Sequence, residues 1–492
     1  MTVGSSQLRF WIDMALECIR RDHTFRVPCA PISEGDQRGP FLTARALGMA
    51  LGALHDSHAL AAGRPTLLTI SDTGSWGGLP PIVTAAAACH QVLLHRYPKQ
   101  SRLLDYAWRQ WFELYGLGGH ADAEAAGRRF GTAVHAFGAD DPVNAKQGMF
   151  APSPGTPYKH IAPPNEATQG YSGGDWGKSK RLLATRLPYF PPPPGRASAT
   201  AVNTTPHFKA DFAKVAAKGA DRHTGTRTAE EEVVGIFWGY DGAPELGTPP
   251  RLYMQVVLTV LDVIEARKPG KLDTGEELAI IAGVAIAMAD AGVEAWHYKY
   301  SDEHMMWRPV VGVRNAVDGN GTPIPGWLPL GRPDTNNSGQ GLTPDFPAYP
   351  SGHATFGASA FQLLRLYLVE KGIAKFDGKG VDNIHFDFTS DEYNGRNTDP
   401  RTSLPREHLT RSHKSLWQAI TDNSLSRVYI GVHWQFDGIT IKGSDEDGEF
   451  GIPKTPADLG KRGGVWLGGQ IANEIAAKLG ITPATIAASQ LL

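Results

Sequence analysis

Residues 350–366 read Pro-Ser-Gly-His-Ala-Thr-Phe-Gly-Ala-Ser-Ala-Phe-Gln-Leu-Leu-Arg-Leu, a turn running directly into an apolar helical segment. Pro350 and Ser351 favour the turn, and Gly352 lets the backbone come close to a ligand. Phe356, Phe361, Leu363, Leu364 and Leu366 then supply the buried side of a helix. The first N–H groups of that helix lack intrahelical acceptors and, with the helix dipole behind them, suit an anion. An ordinary helix start capped by Ser351 is the simpler reading of the tetrapeptide alone. Its meaning depends on what the rest of the chain brings to it.

Working outward, periodicity and Ala/Leu content predict helices over 7–23, 41–62, 78–97, 100–115 and 119–137, then 250–267, 275–299, 353–371, 411–433 and 464–479. No strand alternation persists long enough to predict a sheet, and no internal repeat is visible. The chain is therefore expected to be all-α, helical bundles joined by long irregular loops. From about 138 to 235, Ala162-Pro163-Pro164 and Pro191-Pro192-Pro193-Pro194 exclude helix interior. Trp176, Tyr189, Phe190, Phe208 and Phe212 give this region apolar groups to bury. It is expected to wrap the surface, wall a pocket or mediate association. Residues 310–348 are again rich in Gly, Pro and Asn. The expected organisation is an N-terminal helical half, 1–235, supplying mainly helical mass, and a C-terminal bundle, 236–492, carrying the site, folded as one integral unit.

Composition excludes several function classes. The 492 residues are 41% hydrophobic and 20% charged with a formal net charge of -2, so no bulk field draws the chain to nucleic acid or anionic lipid. Cys18, Cys29 and Cys89 form neither a disulfide framework nor a CxxC metal pair. A Cys18–Cys29 bridge is conceivable; free buried thiols are the simpler expectation. The first helix ends in Arg20 and Arg21, the reverse of a secretory signal, and the longest apolar run, Leu278 to Ala289, is too short to cross a bilayer. These features predict a soluble chain without a conventional signal peptide, cytoplasmic unless exported by another route. The Pro-rich region and the N-terminal helices offer surfaces for a homo-oligomer.

Two further stretches carry chemistry. Ser426, Arg427 and His433 are placed on one helix or its extension, with Gly431 able to loosen it. Asp437, four residues beyond His433, can accept a hydrogen bond from the second ring nitrogen and set its tautomer. Lys299 and Arg308 follow the end of another helix. Singly, these residues read as a surface Arg, a core His and a cationic helix end. Together they make three cations, an N–H cradle and two histidines, which suits phosphate or vanadate.

At this point the chain resembles the phosphatidic-acid-phosphatase type 2 superfamily and, within it, the chloroperoxidase-like branch of the vanadium-dependent haloperoxidases. Phe237-Trp238-Gly239-Tyr240-Asp241-Gly242, Gly247-Thr248-Pro249-Pro250-Arg251, Asp290-Ala291-Gly292, Trp307-Arg308-Pro309, Phe346 through Gly357 and Gly431-Val432-His433-Trp434 carry the resemblance over 236–440. It implies vanadate as cofactor, with phosphate able to occupy the same pocket, and hydrogen peroxide, a halide and a small organic acceptor as partners. His433 then corresponds to the vanadium ligand. Lys299, Arg308, Ser351, Gly352 and Arg427 correspond to the groups that hold the equatorial oxygens. His353 corresponds to the acid–base histidine, and Lys299 also polarises peroxide. Asp241 offsets the arginine charge, while Trp296 and Phe346 line the halide region. Phe346 stands where bromoperoxidases usually carry His, which leans toward a chloroperoxidase-like pocket. The implied reaction is oxidation of chloride, bromide or iodide to hypohalous acid.

The family usually has six or seven residues between the Lys and the Arg, and this chain has eight, Tyr300 to Trp307. At ~100° per residue, nine positions place the two side chains on opposite helix faces. Either the helix ends near Tyr300, a bulge absorbs the insertion, or Lys299 does not reach the anion. Met305 and Met306 in this segment would be oxidation-prone if exposed. The 72 residues between His353 and Ser426 fit the haloperoxidase branch better than the phosphatases. Two competing readings use the same pocket. One is a metal-free acid phosphatase or phosphotransferase with His433 as nucleophile and His353 as general acid; the other is a non-catalytic anion-binding protein.

Overall fold

The helix Thr274–Lys299 lies at the centre of the packing, its long apolar stretch buried on nearly every side. The computed structural model describes residues 3–24, 35–72, 74–142, 147–151, 157–196, 204–316, 321–337, 339, 343–443 and 450–492. In the N-terminal part run α1 (Val3–Asp22), α2 (Pro40–Ala61), α3 (Pro81–Arg96), α4 (Ser101–Tyr115), α5 (Ala121–Phe137), α6 (Pro206–Lys218) and α7 (Ala229–Phe237). Then follow α8 (Pro249–Arg267), α9 (Thr274–Lys299), α10 (Pro309–Arg314) and α11 (Gly352–Glu370). Four short strands come next, β1 (Phe386–Asn394), β2 (Thr398–Asp399), β3 (Leu404–Pro405) and β4 (His408–His413). The chain closes with α12 (Leu416–Tyr429), α13 (Gln435–Gly438), α14 (Gly463–Lys478) and α15 (Pro483–Ala488).

The expected helical fold is present, with two antiparallel ribbons added. β1 pairs with β4 and β2 with β3; Phe386 lies opposite His413 and Phe388 opposite Arg411. Phe386 and Phe388 are buried while Asp387 is exposed, a period-2 pattern too short to stand out in the sequence. The helix expected over 411–433 is corrected accordingly. Its first residues finish β4, Ser415 caps α12 by accepting from the Gln418 N–H, and the helix ends at Tyr429. Helices α6 and α7 lie inside the stretch read as irregular. Thr205 caps α6, and Thr228 with Glu231 forms a capping box on α7, a signal masked by the prolines around it.

Helix α9 is long and apolar enough to cross a bilayer, yet 94% of its most apolar stretch is buried inside the protein. It packs against both α2 and α11, which makes it a core helix, and α11 in turn packs against α8, α12 and α14. The α11–α14 approach is close. A Cβ at Gly468 would stand 2.3 Å from the Thr355 carbonyl, and one at Gly464 would stand 2.6 Å from that of Ser351. Glycine at these two places lets α14 press against the first turns of α11.

The irregular region is tied to the core by buried carboxylates. Asp290 on α9 accepts the N–H groups of Leu182, Leu183 and Ala184 at 2.6–2.8 Å. Cys18 and Cys89 are free and buried; Cys29 lies outside the described residues.

Candidate active site

The site is assembled at element ends. Lys299 closes α9, Arg308 immediately precedes α10, Ser351 caps α11, and His433 sits in the turn between α12 and α13. That last turn exists because α12 stops. Gly431 takes φ +73°, and a Cβ there would lie 2.2 Å from the Gly219 carbonyl. The N–H groups of Val432 and His433 both fold back onto the Arg427 carbonyl, at 3.0 and 3.3 Å. Asp211 on α6 holds the start of α13 by accepting from Gln435 and Phe436 at 2.8 and 2.9 Å. Burial pushes this carboxyl up to about 6. Nothing in the sequence pointed to Asp211, since its partners are backbone groups more than 200 positions away.

His433 Nδ1 lies 2.8 Å from Asp437 Oδ2, which also accepts the Trp434 N–H at 3.0 Å. Arg308 Nη1 donates to His433 Nε2 at 3.0 Å and to the Val432 carbonyl at 2.8 Å, while its Nε donates to the Phe346 carbonyl at 2.8 Å. Burial and then the cations Arg308, Lys299 and Arg427 push His433 well below the usual range. Burial pushes Asp437 up. The pair therefore shares one proton, and the neighbouring cations and the Trp434 N–H favour an ionised Asp437 with that proton on Nδ1. His433 Nε2 is left as a lone pair.

Arg427 grips Asp241 with two parallel bonds, Nη1 to Oδ2 at 2.9 Å and Nη2 to Oδ1 at 2.7 Å. Burial works to raise Asp241, but the Arg427 guanidinium outweighs it and the carboxyl is held below the usual carboxylate range. His353 Nε2 donates to the Gly239 carbonyl at 2.7 Å and lies 3.8 Å from Asp241 Oδ1. Burial, followed by Arg427, pushes His353 down to about 3, so it is neutral with Nδ1 as its free base. Its carbonyl is held by Tyr253 Oη at 3.1 Å and Asn423 Nδ2 at 2.9 Å. The Gly239 contact lies inside the quoted 237–242 stretch, but a backbone carbonyl carries no side-chain signature.

Of the three cases weighed for Lys299, the structure shows the helix end: α9 stops at Lys299, and a turn over 301–304 takes up the extra length. The ammonium donates to the carbonyls of Pro347 at 2.8 Å, Ala348 at 3.1 Å and Pro350 at 2.5 Å. Burial and the nearby Arg308 push Lys299 well below its usual range. The three carbonyls oppose this, since only the ammonium form can donate to all three. In this arrangement Lys299 holds the turn that carries Ser351 and Gly352. Contact with an anion would require one of those bonds to give way. Met305 and Met306 are buried.

Several donors remain unspent. Arg308 Nη2 and Arg427 Nε are buried with no hydrogen-bond partner. The N–H groups of Gly352 and His353, the first two of α11, make no hydrogen bond among the described residues. Ser351 Oγ is only weakly engaged, 3.4 Å from the Ala354 N–H. Among the described residues no three His, Cys, Asp or Glu side chains form a group able to cage a metal ion. The donor set, rich in N–H and closed by the His433 lone pair, fits an oxyanion that brings its own oxygens. Gly352, His353, Arg427, His433 and Asp241 line one cavity of ≈ 630 Å³ together with Trp296 and Phe346. Ser426 is elsewhere, its hydroxyl spent on the Asn423 carbonyl at 2.7 Å. The first half of the chain contributes more than helical mass, because His23, Phe41 and the loop 165–172 wall the same cavity.

Residues 279–442 match the family model for the VCPO second helical-bundle domain. Over 562 aligned residues the chain is 29% identical to the vanadium chloroperoxidase of Curvularia inaequalis, covering 96% of this chain and 90% of that one. The fold is similar to that of the first bacterial vanadium-dependent iodoperoxidase (TM-score 0.62, 18% identity, 96% of each chain). It is also similar to a holo-type bacterial vanadium-dependent chloroperoxidase (TM-score 0.58, 14% identity, 94% of this chain and 95% of that one). Sequence, domain and fold agree in what they resemble: the second helical-bundle domain over 279–442, a vanadium chloroperoxidase over most of the chain, and the fold of two bacterial vanadium-dependent haloperoxidases.

Proposed function

We propose that the protein binds vanadate in this pocket and uses hydrogen peroxide to oxidise halide, bromide and chloride included, to hypohalous acid. The observation that carries the reading is the set of unspent donors, Arg308 Nη2, Arg427 Nε and the Gly352 and His353 N–H groups, beside a histidine whose Nε2 Asp437 keeps unprotonated, its lone pair engaged only by Arg308 Nη1. The relatives named above support it. Arg308, Arg427, Ser351 and Gly352 would hold the oxygens, and His433 Nε2 would ligate the metal. When bound, vanadate supplies the Lewis acid at which peroxide becomes electrophilic toward halide.

The chain's own residues set up that chemistry. His353 Nδ1 is the base that takes a proton from hydrogen peroxide and returns it to the leaving oxygen, because Nε2 is tied to Gly239. Asp241 balances Arg427, so the pocket stays cationic without excess repulsion. Lys299 and Arg308 both lie over the Phe346 ring, at 5.2 and 5.0 Å from its centroid, and Lys299 lies 5.4 Å from that of Trp296. This cation-bearing aromatic wall is the proposed approach for halide, and Phe346 in place of a basic side chain favours chloride competence.

The test is monochlorodimedone halogenation by vanadate-loaded enzyme with peroxide and chloride or bromide in separate assays. Turnover that needs both vanadate and peroxide, and that His433→Ala abolishes, is expected. Hydrolysis of a phosphate ester with no halide oxidation would overturn the reading.

A further inference from the structure

The cavity is far larger than its proposed inorganic reactants require. Vanadate, peroxide and a halide together take up on the order of 200 Å³ if each fills one to three water volumes, against ≈ 630 Å³ available. That size is typical of a small-molecule site. One wall is aromatic. Trp296 packs against Phe41 (ring centroids 4.9 Å), Phe346 (4.8 Å) and Phe356 (6.2 Å), and all four side chains line the cavity.

The rest of the lining carries a second group of buried polar atoms without partners, on residues other than those of the anion cage. They are Arg332 Nε, His23 Nε2, Thr248 Oγ1 and Gln169 Oε1. His23 Nδ1 donates to the Ile19 carbonyl at 2.9 Å, so its Nε2 is an acceptor. The cavity carboxylates differ in being engaged. Asp241 holds Arg427, Asp345 accepts from Ser172 Oγ at 2.8 Å, and Glu166 accepts from Gln169 Nε2 at 3.0 Å. Arg332 makes no ion pair within 4 Å among the described residues, and the carboxylate its charge acts on, Asp241, is already held by Arg427. Buried donors left unpaired are costly and uncommon, and here a cation and two acceptors border an aromatic wall.

We infer that this part of the cavity is a binding subsite for the organic acceptor, a phenol-type aromatic bearing an anionic group. The anionic group is held by Arg332, the hydroxyl by His23 or Gln169, and the ring lies along the Trp296 wall. The inference rests on the halide-oxidising reading, which supplies the halogenating agent. In the transfer the O–X bond of hypohalous acid breaks with its electron pair staying on oxygen. A ring π pair forms the C–X bond, the ring C–H bond breaks, and its proton joins the hydroxide as water. Halogenation in the subsite is therefore regioselective, unlike reaction with free hypohalous acid.

The probe is 3-hydroxy-2-naphthoate, titrated calorimetrically into enzyme saturated with orthovanadate so that the carboxylate cannot enter the anion cage, without peroxide or halide. Saturable binding is expected, at least tenfold tighter than that of neutral 2-naphthol and weakened at least tenfold by Arg332→Gln. Arg332→Lys, which keeps the charge, should recover most of the affinity, separating anchoring from misfolding. In turnover with bromide, the product isomer ratio should differ from that of reagent hypobromous acid. Equal affinity for the two naphthols, binding indifferent to Arg332→Gln, loss of binding with vanadate in place, or an isomer ratio identical to the free reagent would each overturn the subsite. Triiodide formation from iodide without any organic acceptor reports the halide-oxidising reading separately, and its failure beside intact naphthoate binding would sink that reading alone.

Discussion

Lys299→Met separates two roles that a buried lysine at this site can have. The substitution keeps the length of the side chain but removes the donors to Pro347, Ala348 and Pro350. Each buried carbonyl left without its donor costs ~1–3 kcal/mol, and loss of the cation from the Trp296 and Phe346 faces adds ~0.5–2 kcal/mol. Relief from burying an ammonium, and second acceptance by some carbonyls, offset part of this. The net loss expected is about 4 kcal/mol, within the range seen when one partner of a buried charged group is deleted. With ~2.1 cal/mol/K of unfolding entropy per residue over 492 residues, cooperative unfolding of the whole chain changes by ~1 kcal/mol per kelvin. The melting midpoint of the vanadate-free protein should therefore fall by about 4 °C. Calorimetric melts of the vanadate-free variant and wild type check this. A midpoint within half a degree of wild type, combined with weakened vanadate affinity, would refute the turn-holding role and make Lys299 a direct anion ligand.

Asp437→Asn leaves His433 in place but replaces the carboxylate with a neutral amide, whose NH2 can donate to Nδ1 and so favour the other tautomer. Vanadate affinity should fall ~10–100-fold, measured by equilibrium dialysis with elemental analysis, with apo secondary structure unchanged by circular dichroism. Gly431→Ala forces a Cβ against the Gly219 carbonyl at 2.2 Å with φ at +73°. A loss of more than ~2 kcal/mol is expected in denaturant unfolding, and a neutral outcome would show that the turn before His433 is soft. Burial raises Glu392 from the usual range to about 7, despite Arg406, Thr335 and the Tyr240 N–H around it. Because the folded value is the higher one, its contribution is full below about pH 4.5 and is lost as pH rises toward 7. Unfolding free energies of wild type and Glu392→Gln should diverge by about 3 kcal/mol across that window, and parallel pH profiles would contradict the assignment.

Much of the helical framework was legible because its causes are local. α2, α8 and α11 begin within one residue of where periodicity places them, and α9 ends where Lys299 does. Their boundaries follow from capping residues, prolines and apolar spacing, which neighbouring residues determine. α6, α7 and the β1–β4 ribbon were missed. Capping signals and a short alternation carry little weight amid prolines when the stabilising partner is distant in sequence. The candidate residues were legible as a set, from residue types at element ends and from the family resemblance.

What the sequence determined by itself is which chemical groups are present and on which local elements: an N–H cradle, cations and two histidines able to serve an oxyanion. Only the tertiary structure decided how each group is spent. Lys299 gives its three hydrogens to a turn, Arg308 keeps Nη2 and Arg427 keeps Nε unpartnered, and His353 commits Nε2 to Gly239. It also decided that helices and loops from the first half close the aromatic side of the cavity. The reason is geometric. Hydrogen bonds act over about 3 Å, and whether two groups more than a hundred residues apart come that close depends on packing between elements, which no local pattern records.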